Sequence, residues 1–161
     1  MTIRTAAYGP VRQSDPPVKY LVGTPKGRLN RLEKQLLDKP WHQARPGVEV
    51  KLLAEQDELY VLAQSADRVG KERSMRRRQL KWLWARLQQL STMKLKREEL
   101  LIKLGAAKQK SPSAWRLVQV AVDKDKAAFT YRLNRDKLRR QRRREGRYLL
   151  RTNLTETDPA K

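Results

Sequence analysis

The sequence predicts an α+β fold in which antiparallel β-hairpins accompany a long basic helical hairpin. Three observations lead there. Two apolar runs, Val48–Leu53 and Leu59–Gln64, are separated by Ala54-Glu55-Gln56-Asp57-Glu58, the pattern of a hairpin with an acidic turn. Leu80, Leu83, Leu87 and Leu90 fall at 3-4-3 spacing, a short coiled-coil-like seam on a helix. Trp115–Val122 and Ala127–Leu133 then form a second pair of strands about Asp123-Lys124-Asp125-Lys126, with Phe129, Tyr131 and Leu133 alternating onto one buried face.

Taken in order, Met1–Asp15 shows no periodicity and is expected to be loosely ordered. Val18–Thr24 reads as a short buried strand. Thr24 caps a helix with Pro25 at its first position, and Leu29, Leu32, Leu36 and Leu37 supply its apolar stripe. Lys39-Pro40 ends that helix. Lys26 lies beside the helix N-terminus, where a phosphate can sit, but the spacing is not a Walker A loop and an ordinary strand-to-helix turn is preferred. Ser65–Leu90 is the long helix. Ser91-Thr92 interrupts it and caps a second helix, Met93–Leu104, whose apolar side is Leu95, Leu101, Ile102 and Leu104 and which Gly105 stops. Lys108–Ser113 reads as a polar loop. Asn134 caps a helix over Arg135–Glu145 in which only Leu138 is apolar, so core burial cannot stabilise it and neighbours or an anionic ligand must. Gly146 breaks the chain, and Arg147–Asn153 returns as a strand. Asp158-Pro159-Ala160-Lys161 has the signature of a helix start with no helix behind it, which predicts truncation. Residues 1–15, 16–154 and 155–161 are thus expected to be a poorly ordered N-terminus, a single α+β domain and a truncated tail.

Charge gives the first functional clue. The chain of 161 residues carries a net charge of +21, with 39% hydrophobic and 34% charged residues. Asp67–Lys110 and Arg132–Arg151 hold 14 and 10 Lys/Arg against 4 and 2 Asp/Glu, so they contribute +10 and +8 and leave +3 elsewhere. Crowding like charges costs free energy, which makes a polyanion the natural partner. Nucleic acid comes first and an anionic membrane surface second. No apolar run nears the ~20 residues of a spanning helix, so no membrane partner is expected, and the chain is expected to be soluble and intracellular. Cysteine is absent and His42 is the only histidine, which removes thiolate metal sites and leaves His42 as a surface or packing residue.

The residues expected to meet phosphate are Arg73, Arg76, Arg77, Arg78, Lys81 and Arg86 on the long helix, and Arg139, Arg140, Arg142, Arg143 and Arg144 on the last one. Extending the leucine seam backwards puts Arg76 and Arg73 at seam positions, so apolar packing should stop there and leave the N-terminal half of the helix solvated. Trp82 and Trp84 project to different sides. One can join the core, and the other is left for packing or for stacking on a base or sugar. Glu55, Asp57 and Glu58 belong to a hairpin turn. Glu98 and Glu99, adjacent on a helix, point about 100° apart and cannot share one reacting atom.

Two stretches carry a resemblance. KYLVGTPKGRL, followed by GVEVKLL and KERSMRRRQL, and EGRYLLRTNLTETDPAK at the end resemble bacterial insertion-sequence transposases of the DDE type, in the group with a β-rich insertion inside an RNase H-like domain. The likeness runs from about Gln13 to Lys161. It implies that this chain is the insertion region with its two flanking strands. The family's catalytic Asp, Asp and Glu, which bind two divalent metals, lie upstream of the first stretch and downstream of the second. None is carried over to a residue here, and neither Asp15 nor Glu156 stands in the right context. The resemblance implies DNA binding without strand cleavage or transfer by this chain alone, no cofactor in this chain, and association with a second copy or with an intact transposase as a further partner. The competing expectation is a small basic RNA-binding or ribosome-associated protein.

Overall fold

The computed structural model describes residues 15–16 and 18–154; the expectations for residues 1–14 and 155–161, and for the Lys26 side chain, lie outside them. The fold is α+β, with antiparallel hairpins and a long helix. Its contacts divide into two compact units, Met1–Ala66 with Arg147–Lys161, and Asp67–Gly146.

The first unit is built on a five-stranded antiparallel sheet. Its strands are β1 (Leu21–Thr24), β2 (His42–Arg45), β3 (Val48–Glu55), β4 (Glu58–Ser65) and β7 (Arg147–Thr152), in the order β1-β7-β4-β3-β2. The β3–β4 hairpin is longer than the sequence predicts. Glu55 pairs with Glu58, and the turn shrinks to Gln56 and Asp57, at φ 47° and 54°. Two successive left-handed residues make the turn whose twist matches that of the strands. Strand β2 was not expected: only half-buried Ala44 marks it, on an edge broken by a shift of register between Gln43 and Arg45. His42 lies exposed on it.

Helix α1 (Leu29–Leu37) covers one sheet face. Leu29, Leu32 and Leu36 pack with Leu53, Tyr60, Leu62 and Leu149. Leu37, expected in the same stripe, is 66% exposed, because eight residues from Leu29 bring it well off the buried axis. Thr24 ends β1 rather than capping the helix, and a 3₁₀ turn over Lys26–Arg28 precedes it. Buried Lys51 closes the other end of α1, donating from Nζ to the carbonyls of Leu36 (2.9 Å) and Leu37 (3.2 Å). Those carbonyls have no partner within the helix, and a cation there also meets the negative end of its dipole. The ammonium lies 4.9 Å from the centre of the Trp41 ring. Burial, and then the neighbouring Arg147 charge, hold the Lys51 amine below its ordinary range.

Strand β7 is paired on both sides, Leu149 with Thr24 of β1 and with Leu62 of the hairpin strand β4. At its end, buried Glu58 and Arg151 form an ion pair at 3.3 Å, and the Tyr20 hydroxyl donates to Glu58.

The second unit contains α2 (Ala66–Thr92), α3 (Arg97–Lys110), a single turn α4 (Pro112–Trp115), the hairpin β5 (Val118–Val122) and β6 (Phe129–Leu133), and α5 (Arg135–Arg144). Leu83, Leu87 and Leu90 of the seam join Leu100, Leu104, Ala107, Ala114 and Val118 in its core, with Leu80, Trp82 and Tyr131 packed against them. The second helix is displaced from its expected bounds. Helix α2 runs through Ser91-Thr92, and α3 starts only at Arg97, where Glu99 accepts the Lys96 backbone N–H at 3.3 Å. Gly105 does not stop it, since burial of Ala107 repays another turn; a helical glycine costs about 1 kcal/mol. The buried face is Leu100, Leu104 and Ala107, whereas Leu101 and Ile102 point to solvent. The expected polar loop 108–113 is largely helical. The β5–β6 turn is held by Asp123, whose carboxylate accepts the N–H groups of Asp125 (2.8 Å) and Lys126 (2.9 Å). Those bonds keep its carboxyl below the usual range.

Candidate nucleic-acid interface

Helix α5 is the most charged element. It holds six Arg and one Lys against one Asp, and none of its residues is buried. Its start is capped as expected, the Asn134 side chain accepting from the Lys137 N–H at 3.0 Å. Its one apolar residue, Leu138, is half-buried. Its C-terminal end is tied down by charge. Glu145, whose side chain is 1% exposed, is ion-paired with Arg76 and lies 3.7 Å from Arg73. The Gly146 N–H donates to Glu72 at 2.9 Å.

This changes the reading of the long helix. Arg76 was expected in a solvated half and among the phosphate ligands. Its side chain is 9% exposed and committed to Glu145. The seam therefore does not stop at Leu80; it continues as a buried ion pair, because Arg76 falls one turn behind Leu80 on the same face. Arg73 is half-exposed and shares the same carboxylate. The signal was present in the sequence: Glu145 is the lone acid closing the arginine run.

The other expected residues stay at the surface. Arg77, Arg78, Lys81, Arg140, Arg142 and Arg143 are exposed, and among the described residues none of them has a carboxylate within ion-pair distance. Arg139 pairs only with exposed Asp136, at 3.5 Å, a contact of little worth in water. Arg86 donates to Gln89 at 2.6 Å, and Arg144 is half-buried. Spacing sorts these cations into faces. Arg77, Lys81 and Trp84 recur at i, i+4 and i+7 on α2, with Arg78 on the flank of that face, three residues before Lys81. On α5, Leu138 and Arg142 share one face, Arg139 lies on its flank, and Arg140 and Arg143 turn towards the opposite side.

The two inward faces meet in a groove of about 560 Å³ within this unit. Its floor is Leu80, Trp84, Ala85, Leu133 and Leu138, and its rim includes Arg77, Lys81 and Arg142. Of the eleven expected ligands the groove gathers Arg76, Arg77, Lys81 and Arg142; the other seven lie outside it. The two tryptophans divide as anticipated. Trp82 packs against the core, with the Lys110 ammonium 4.6 Å from its ring centre. Trp84 is 38% exposed, held edge-on by Tyr131 at 4.9 Å and 74°. Sequence reasoning did not find Leu133 and Leu138 as site residues, since their role depends on β6 and α5 being folded against α2.

Among the described residues there is no group of three or more His, Asp or Glu side chains able to hold a metal ion, and no helix long and apolar enough to cross a membrane. Comparisons with protein-family models, curated proteins and solved structures give no match.

Proposed function

We propose that the protein is a DNA-binding piece of an insertion-sequence transposase, gripping duplex phosphates through α2 and α5 without cutting or joining strands by itself. The observation that carries this reading is the set of exposed guanidinium and ammonium groups on these two helices that, among the described residues, no carboxylate neutralises. Arg77, Arg78 and Lys81 supply one helix; Arg140, Arg142 and Arg143 supply the other, joined by Arg139, whose exposed pair with Asp136 is worth little in water. Guanidinium forks suit phosphate oxygens, and the counterions they release favour binding. The transposase part of the proposal is supported by the fold of the two stretches that resemble that family. They form β1 and β7, which lie side by side, and the whole basic unit is inserted between β4 and β7, where Gln64 pairs with Arg147.

A gel-shift titration with duplex DNA tests the binding. Saturable retention that weakens steeply with salt is expected, and Arg140→Gln with Arg143→Gln should lower affinity without altering the far-ultraviolet spectrum. Preference for structured RNA over duplex DNA in the same titration would move the assignment to the RNA-binding class. Incubation of the bound duplex with Mg²⁺ or Mn²⁺ should leave it intact, and nicking would overturn the non-cleaving half of the proposal.

A further inference from the structure

The groove has a property that phosphate binding does not use. Its floor is aliphatic, with Leu80, Ala85, Leu133 and Leu138 beside Trp84, which is 38% exposed. Phosphate groups offer no apolar area to cover such a floor. The rim, by contrast, is cationic on both banks: Arg77 and Lys81, one turn apart on α2, face Arg142 on α5. Arg76 lines the wall, but Glu145 already holds it.

From this combination we infer that the groove takes the apolar face of an acidic amphipathic helix from a partner protein. Helix-in-groove recognition places side chains at i, i+4 and i+7 on an apolar floor and leaves the flanks to charge. Carboxylates on those flanks would meet Arg77 and Lys81 on one side and Arg142 on the other. A volume of about 560 Å³ is in the range that accepts a few such side chains. The surface shares Arg77, Lys81 and Arg142 with the DNA reading, so partner and DNA compete, while Arg78, Arg139, Arg140 and Arg143 remain for DNA alone. The inference goes beyond DNA binding and does not depend on it.

The test uses the full chain and two synthetic helical peptides, read by fluorescence polarisation. One carries Leu at i, i+4 and i+7 with Glu on its flanks; the other keeps every Glu and replaces each Leu by Ser. The leucine peptide is expected to bind at least about tenfold more tightly, the effect of burying a leucine-sized side chain. Ala85→Glu, at an exposed position on the floor, and Lys81→Glu, on the rim, should each weaken it by a similar factor, with helix content unchanged. Equal binding of the two peptides, or indifference to Ala85→Glu, would overturn the inference. So would self-association abolished by Ile102→Lys together with Ala85→Glu, since that makes the exposed Leu101–Ile102 face of a second copy the occupant. Binding of an oligo-dT strand that is as sensitive to Ala85→Glu as the leucine peptide would assign the groove to nucleobases instead. Duplex binding is measured separately: its loss with peptide binding retained condemns only the DNA reading, and the reverse condemns only this one.

Discussion

Glu145 governs the basic unit more than any arginine does. Its carboxylate is buried, and two guanidinium groups are committed to it. Removing one partner of a buried pair leaves a charge with no counter-charge, at a cost of about 3–5 kcal/mol. Glu145→Gln is therefore expected to shift the urea midpoint sharply, and the double change Arg76→Met with Glu145→Leu should recover part of the loss. Arg77→Gln, one position away but exposed, should leave the midpoint in place and weaken DNA binding. Lys51 makes a second residue-scale prediction. Because its amine is held below the ordinary lysine value of 10.5, the folded chain binds that proton less tightly than the unfolded one. The resulting penalty is present below the folded pKa and fades as pH rises towards 10.5. Urea midpoints should show a contribution that rises with pH in that window and is missing in Lys51→Met. Composition revealed which residues are cationic. It could not reveal that Arg76 is buried, because that depends on Glu145 returning to the same place from 69 positions away.

Among the elements, α5 stands apart, since no residue in it is buried and like charges crowd its length. Its stability rests on the Asn134 cap, the Leu138 contact and the charged anchor at Glu145 and Gly146. Asn134→Ala should cost about 1 kcal/mol, as loss of a helix cap does, and the cost should be local. Hydrogen exchange is expected to speed up in α5 amides while those of the α2 seam stay protected. The hairpins and the leucine seam were legible because a period of two and a 3-4-3 spacing survive in the local sequence. Strand β2 was not, because an exposed edge strand needs no apolar alternation. Helix α3 was misplaced for a related reason. Leu100 and Ala107 face the core while Leu101 and Ile102 do not, and apolar residues on both faces erase the period that would have shown which side was inside.

At the scale of the molecule, each unit has its own core: α1 against the sheet in one, the α2 seam against α3 and the β5–β6 hairpin in the other. The basic unit leaves the sheet after β4 and returns at β7, beside its point of departure, since Gln64 and Arg147 are paired. Replacing residues 67–146 by Asn-Gly, which joins the paired Gln64 and Arg147 through the four-residue loop Ser65-Ala66-Asn-Gly, should therefore leave a folded sheet that melts cooperatively and no longer binds DNA. A chain that unfolds on this deletion would show that the sheet depends on the inserted unit. The candidate interface was half legible in the same way: the charge density marked the two helices proposed to meet phosphate, but the groove floor could not be seen until β6 and α5 were folded back onto α2. The most direct test of DNA binding is its salt dependence. With Arg76 withdrawn into its ion pair, the proposed interface offers about 7 cations to phosphate, and the log–log slope of affinity against salt should be about −6 on duplex DNA. A slope near zero would contradict phosphate recognition by these helices.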